Sequence, residues 1–244
     1  MNLVIDIGNT RIKCALFHKN NLQELRFYNH FKDMMDDEFV TSKATQAILG
    51  SVVDGAEQWQ QKLNKTIPTL LFTSSTKTPL ANLYQSAATL GSDRLCASVA
   101  SYYLHPNKAV LTIDAGTCIK YNFVNSHNQY LGGGISPGIA MRFKALNEFT
   151  SKLPLINFNE NFNTLIGNTT ENSILSGVLN GAIAEVDGVI NEYKLQYPEI
   201  LVLLTGGNSE YLAKRLKNSI FAHQNLVLKG LNHILNYNLE LPQT

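Results

Sequence analysis

Short runs of apolar residues set the rhythm of this chain, and the rhythm plays twice. Val4 and Ile5 lead into Gly8, and Arg11–Phe17 then alternates with the period of two that a half-buried strand requires. The pattern predicts opening strands at Leu3–Ile7, Ile12–Phe17 and Leu22–Tyr28, then a helical or loop stretch over Asp33–Ser42. Ala47–Val53 reads as a buried strand, Glu57–Asn64 as a helix and Thr69–Phe72 as a further strand. Leu95, Val99 and Tyr102 share one face of a helix that starts near Ser92. From residue 108 the plan recurs, with strands at Lys108–Ile113, Cys118–Val124 and Gln129–Ile135. A helix follows Pro137, which is placed just inside its start, with Ile139, Phe143 and Leu146 in phase. Ile174, Val178, Ile183, Val186 and Ile190 mark a long helix whose pattern Gly181 and Gly188 interrupt. A strand at Ile200–Leu204, a helix at Asn208–Lys217, Leu226–Leu228 and a final helix to Tyr237 complete the chain.

Each round opens on the same phrase. Residues 4–10 read Val-Ile-Asp-Ile-Gly-Asn-Thr, and residues 112–117 read Thr-Ile-Asp-Ala-Gly-Thr. Both continue into Ile-Lys, at Ile12-Lys13 and Ile119-Lys120. Three strands followed by helix–strand–helix, performed twice with Asp6 and Asp114 in matching places, is an internal duplication. It predicts an α/β protein of two halves, 1–107 and 108–244.

Composition narrows the function. With 44% hydrophobic and 16% charged residues the chain is globular, and a formal net charge of +1 gives no electrostatic case for nucleic acid or an acidic membrane as partner. No apolar run approaches the ~18 residues that span a bilayer, and no basic segment precedes an apolar one at the start. A cytoplasmic location is expected. The cysteines, Cys14, Cys96 and Cys118, are odd in number and form no Cys-x-x-Cys pair, which disfavours a disulfide framework and a cysteine zinc site.

The repeated hairpin is where chemistry is expected. Asp at a strand end often serves only to satisfy backbone donors. A turn alone, however, has no need to be duplicated together with its Gly and its Thr. Phosphoryl transfer calls for backbone donors, a cation and a carboxylate to hold that cation. Gly8 and Gly116 let backbone amides approach phosphate oxygens; Asn9, Thr10 and Thr117 add side-chain donors; Lys13 is within reach as a point charge. Gly91-Ser92-Asp93-Arg94 reads first as a helix N-terminus and second as a base beside an anion-binding arginine. Gly132–Gly138 and Thr205-Gly206-Gly207-Asn208 are strand-to-helix turns of small residues, fit for close approach of a ligand. No Walker-type phosphate loop is present.

These residues, in this order, resemble type III pantothenate kinases, members of the actin/Hsp70/sugar-kinase superfamily. Asp6-Ile7-Gly8-Asn9-Thr10-Arg11-Ile12-Lys13 is similar to the family's first phosphate motif, and Asp114-Ala-Gly-Thr117 to the second. Tyr84 fits the tyrosine of the pantothenate pocket, Gly91-Ser92-Asp93-Arg94 the Gly-x-Asp-Arg substrate motif, and Thr170 a further pantothenate contact. Thr205-Gly206-Gly207 fits the adenosine motif. The resemblance implies a duplicated ribonuclease-H-like (actin-like ATPase) fold with a cleft between its halves, and a homodimer. It implies ATP and pantothenate as substrates, Asp93 as catalytic base, Mg²⁺ held by Asp6 through water, and a monovalent cation, K⁺ or NH₄⁺, at Asp114. Two departures bear on that last site: Asn122 stands where the family continues to another Asp, and Lys120 where a Thr is expected. Another kinase of the superfamily and a silent nucleotide-binding regulator remain as alternatives.

Overall fold

A computed structural model describes residues 1–39 and 43–242, so the end of the stretch predicted over Asp33–Ser42 lies outside the described residues. Packing divides the chain into two compact units: Met1–Asn107 with Val124–Leu131 and Asn225–Thr244, and Lys108–Phe123 with Gly132–Gln224.

The first unit is built on a five-stranded sheet. Its strands are β1 (Asn2–Ile7), β2 (Ile12–His18), β3 (Asn21–Tyr28), β4 (Gln46–Ser51) and β5 (Thr69–Leu71), in the order β3-β2-β1-β4-β5. β2 is antiparallel to β1 and β3, whereas β4 runs parallel to β1 and β5 to β4. β1 is covered on both faces, so Leu3, Val4 and Ile5 are all fully buried and its sequence is continuous rather than alternating. On one face Leu3, Ile5, Leu16 and Leu49 pack with Met34 of α1 (Phe31–Met35) and Leu63 of α2 (Ala56–Leu63). Further along lie a two-residue strand β6 (Ala81–Asn82) and the helix α3 (Ser92–Leu104).

The second unit repeats the plan. Its strands are β7 (Val110–Ala115), β8 (Cys118–Val124), β10 (Ile135–Pro137), β11 (Leu201–Thr205) and β12 (Phe221–Ala222). The order is β12-β11-β7-β8, with β10 antiparallel to β8, β11 parallel to β7 and β12 parallel to β11. β9 (Gln129–Gly132) pairs in parallel with β6. Helices α4 (Ile139–Glu148), α5 (Thr170–Gln196) and α6 (Ser209–Ala213) complete the unit. α5 is long and apolar enough to cross a membrane by length and composition, yet Ile174, Val178, Ala182, Val186 and Ile190 are core residues of this unit. It is a core helix.

The last helix, α7 (Leu226–Glu240), returns to the first unit, where it and α3 pack against each other and against β4. The approach is close. A Cβ on Gly230 would stand 1.8 Å from the Cys96 carbonyl oxygen, and one on Gly50 would stand 3.0 Å from Leu231. At the far end Asn2 donates to Asn232 and Asn236 at 2.8 and 2.7 Å.

Several elements differ from the sequence pattern. Gln129–Ile135 is not one strand: Gly132 and Gly133 take φ of 110° and 144°, which ends β9 and starts β10 on a new path. Pro137 closes β10, and Gly138 is the residue that caps α4. α5 runs unbroken through Gly181 and Gly188. The helix predicted at Asn208–Lys217 is only Ser209–Ala213, and Leu226–Leu228 is the first turn of α7.

Candidate active site

Asp6 is the penultimate residue of β1 and is 7% exposed. It is paired in register with Lys13 on β2, and the Lys13 ammonium lies 3.6 Å from its carboxylate. Between them the chain turns tightly, with the Gly8 amide donating to the Arg11 carbonyl at 3.2 Å. Ile7 and Ile12 are buried at the base of the turn; Asn9, Thr10 and Arg11 are exposed at its tip. Buried apolar flanks thus hold a polar tip toward solvent. Arg11 rests over the Phe27 ring at 4.5 Å.

Gly91 caps α3, and Asp93 lies in its first turn, where a carboxylate is favoured by the positive end of the helix. A Cβ on Gly91 would come 2.8 Å from Asp93 Oδ1, so glycine at this position leaves room for the carboxylate to fold back over the helix start. Ser92 Oγ donates to the Ser51 carbonyl at 2.9 Å, which fastens α3 to the end of β4, the parallel neighbour of β1. Arg94 is 4% exposed, its guanidinium 5.4 Å from the centre of the Tyr84 ring. Tyr84 in turn leans on Tyr130, 6.1 Å between ring centres. The fully buried Cys96 thiol is pushed up, first by burial and then by the charges of Asp6 and Asp93. Those two carboxylates therefore act on one neighbourhood of the first unit. A cavity of about 550 Å³ opens beside Gly91 and Ser92, walled also by Ser51, Asp54, Phe72 and Asn82.

In the second unit Gly206 lies against Asp114, and Gly138 against the turn that follows it. Gly206 follows β11 with φ of 96°, and a Cβ there would stand 2.6 Å from both the Ala115 backbone and Asp114 Oδ1. Gly138 donates to the Thr117 carbonyl at 3.1 Å, and its Cβ would stand 2.3 Å from that oxygen. Thr117 and Gly207 are exposed. Asp114, the residue expected at a monovalent cation, is paired with Lys120, whose Nζ lies 2.9 Å from Oδ2. Asn122, two residues along β8, is fully buried. Thr170 is the exposed first residue of α5, and it is Thr169 that caps the helix by accepting from the Asn172 amide at 3.1 Å.

Sequence reasoning missed a set of residues that hold the glycine-rich segment in place. Glu185 on α5 accepts from Tyr121 at 2.9 Å, from Ser136 at 3.0 Å and from Arg142. Arg142 also donates to the Pro137 carbonyl at 2.9 Å. Burial pushes the Glu185 carboxyl up, but these bonds outweigh it and hold the group below its ordinary value. Nothing in the local sequence marks Glu185, because its partners lie far away along the chain.

Two sheets of matching topology, each with an Asp-x-Gly hairpin beside its parallel strands, define a protein of the duplicated, actin-like ATPase fold. Comparison with known proteins agrees and goes further. The sequence model of the type III pantothenate kinase family matches residues 2–192, and this chain belongs to that family. The type III pantothenate kinase of Bacteroides fragilis (strain YCH46) is 46% identical over 241 residues, which cover 98% of each chain. That of Christiangramia forsetii is 41% identical over 244 residues, 98% of this chain and 99% of that one. Among solved structures, a Baf family protein from Campylobacter jejuni superimposes with a TM-score of 0.67 at 20% identity, covering 98% of this chain and 100% of that one. A ROK family glucokinase from Streptomyces griseus, in complex with glucose and AMPPNP, gives 0.58 at 9% identity, covering 97% and 99%. These two speak to fold alone.

Proposed function

We propose that this protein transfers the γ-phosphoryl group of ATP to the primary hydroxyl of pantothenate, giving 4'-phosphopantothenate and ADP, the first step of coenzyme A synthesis. Membership of the family supports the reaction. The observation that carries the assignment of residues is the start of α3, where Asp93 folds over Gly91 and the buried Arg94 lies against Tyr84. Asp93 is the catalytic base: it takes the hydroxyl proton as that oxygen bonds to the γ-phosphorus and the bond to the bridging oxygen of ADP breaks. A loose transition state asks little of the base beyond position. Tyr84, Gly91, Ser92, Arg94 and Thr170 contact pantothenate, with Arg94 supplying charge for its anionic end.

The turn from Asp6 to Lys13 binds the phosphates. The exposed tip at Asn9 and Thr10 offers donors, and Lys13 balances charge that spreads over the phosphoryl oxygens. Among the described residues no three His, Cys, Asp or Glu side chains converge as a metal cage. Mg²⁺ is commonly held by one or two carboxylates together with substrate phosphates and water, and the nearly buried Asp6 fits that part. When bound with ATP, the ion neutralises phosphate charge. Thr117, Gly206 and Gly207 are assigned to the nucleotide. Large exposed apolar side chains in the second unit, Phe149 at 85%, Leu165 at 77% and Ile166 at 79%, support a homodimer. A cytoplasmic location fits an enzyme that consumes ATP.

Coupled ADP release with and without pantothenate tests the reaction. ADP formation that depends on pantothenate is expected, and its absence over a range of Mg²⁺ and monovalent salts overturns it.

A further inference from the structure

We infer that the Lys120 ammonium stands at Asp114 in place of a free monovalent cation, and that this enzyme works without K⁺ or NH₄⁺. The inference rests on the kinase reading and concerns how its second hairpin is charged. The two groups are in direct hydrogen-bond contact, Lys120 Nζ to Asp114 Oδ2 at 2.9 Å, with side chains only 18% and 13% exposed. A charge-assisted bond between two largely desolvated groups is among the stronger polar contacts a protein makes. An alkylammonium head carries the charge of K⁺ and the donors of NH₄⁺, already tethered to the chain.

Charge balance at the second hairpin points the same way. The other oxygen, Asp114 Oδ1, lies where a Cβ on Gly206 would stand 2.6 Å away, so only glycine at 206 allows the carboxylate its present pose beside Lys120. Asn122 occupies the same face of β8 as Lys120, being two residues on, and it is neutral. Asp114 and Lys120 cancel one another, and the carboxylate that would leave a surplus negative charge at position 122 is absent. A cation added at Asp114 would meet the ammonium at close range and be repelled by it. The first hairpin differs: Lys13 lies 3.6 Å from Asp6 and is a third exposed, which leaves it available to phosphate.

The test uses the whole protein with Mg²⁺ and with tetramethylammonium as the only other cation, then with KCl or NH₄Cl at equal ionic strength. Pantothenate-dependent ADP release is expected to agree within about twofold across the three salts, whereas about tenfold stimulation by K⁺ or NH₄⁺ overturns the inference. Melting temperature, measured with Mg²⁺ and a non-hydrolysable ATP analogue in the same salts, is a readout independent of turnover. A ligand that binds only the folded state raises it, so no K⁺-specific rise is expected, and a saturable one overturns the inference. Lys120→Ala is expected to lose about tenfold or more in tetramethylammonium and to regain part of it in K⁺ or NH₄⁺. Full activity without any cation, or a loss in the folded variant that neither salt restores, counts against the inference. If Lys120→Ala does not fold, the wild-type salt comparisons decide. If no salt gives pantothenate-dependent ADP, the kinase reading falls, and the melting comparison still judges the cation.

Discussion

Ser92 donates its hydroxyl proton to the carbonyl oxygen of Ser51 at 2.9 Å, and through that bond the first turn of α3 is fastened to the last residue of β4. Ile7, at the end of β1, is the register partner of Ser51 and accepts from the Val52 amide at 3.1 Å. The helix start that carries Asp93 and the strand end that leads to the phosphate turn therefore share one backbone frame. Position here is inherited from sheet register and from one short side chain, the Ser92 hydroxyl.

The first prediction follows from that rigidity. Asp93→Asn keeps the size of the side chain and its place over Gly91 but removes the proton acceptor. Turnover is expected to fall by about 10²–10⁴-fold, with ATP affinity changed little. Steady-state rates together with calorimetric titration of ATP check both halves, and near-normal turnover removes Asp93 from the mechanism.

Gly206→Ala meets two obstacles at once. The residue sits at φ of 96°, and the new methyl group would stand 2.6 Å from the Ala115 backbone and from Asp114 Oδ1. A loss of about 1–3 kcal/mol is expected from strain of this kind, together with weaker ATP binding. Gly207→Ala is the control, because a Cβ there meets nothing within 4 Å. Urea denaturation of both variants gives the comparison, and equal stability would refute the need for glycine at 206.

Glu185 predicts a pH effect. Its folded-state carboxyl lies below the ordinary value of 4.5, so its stabilisation is present above that value and lost as pH falls through the folded one. Glu185→Gln should cost about 1 kcal/mol near neutrality, a modest figure because the Arg142 pair is partly exposed. The gap between wild type and variant should close as the pH drops below the ordinary value. Melting curves from pH 7 to 3 measure it; a gap that widens on acidification would contradict the assigned network.

Ile166→Glu places a charge among the exposed apolar residues of the second unit. If Phe149, Leu165 and Ile166 are covered in a homodimer, the substitution should shift the mass measured by light scattering toward the monomer. An unchanged dimer would move the interface elsewhere.

Much of this was legible in the sequence. Apolar flanks around a single glycine specify both hairpins, and Leu95 and Val99 fix the inner face of α3. What escaped had physical reasons. β6 and β12 are two residues long, too short for any period to register. The break between β9 and β10 depends on the positive φ of Gly132 and Gly133; the glycine run marks a turn but not that a strand restarts within it at Ile135. At the site, spacing placed Lys120 six residues after Asp114 but said nothing about whether the two would touch. That depended on the hairpin pleat and on glycine at 206 leaving room for the carboxylate.

The seating of Gly230 on Cys96 also orders events in time. The helix that bears Asp93 emerges from the ribosome long before α7, which covers it, has been made. Until then the groove that receives Gly230 stays open to water, and the N-terminal stretch is a partial fold unable to bury its own helix. A chain halted after residue 107 would lack the helix that covers α3, and vectorial synthesis delivers that piece only after the second unit has been made.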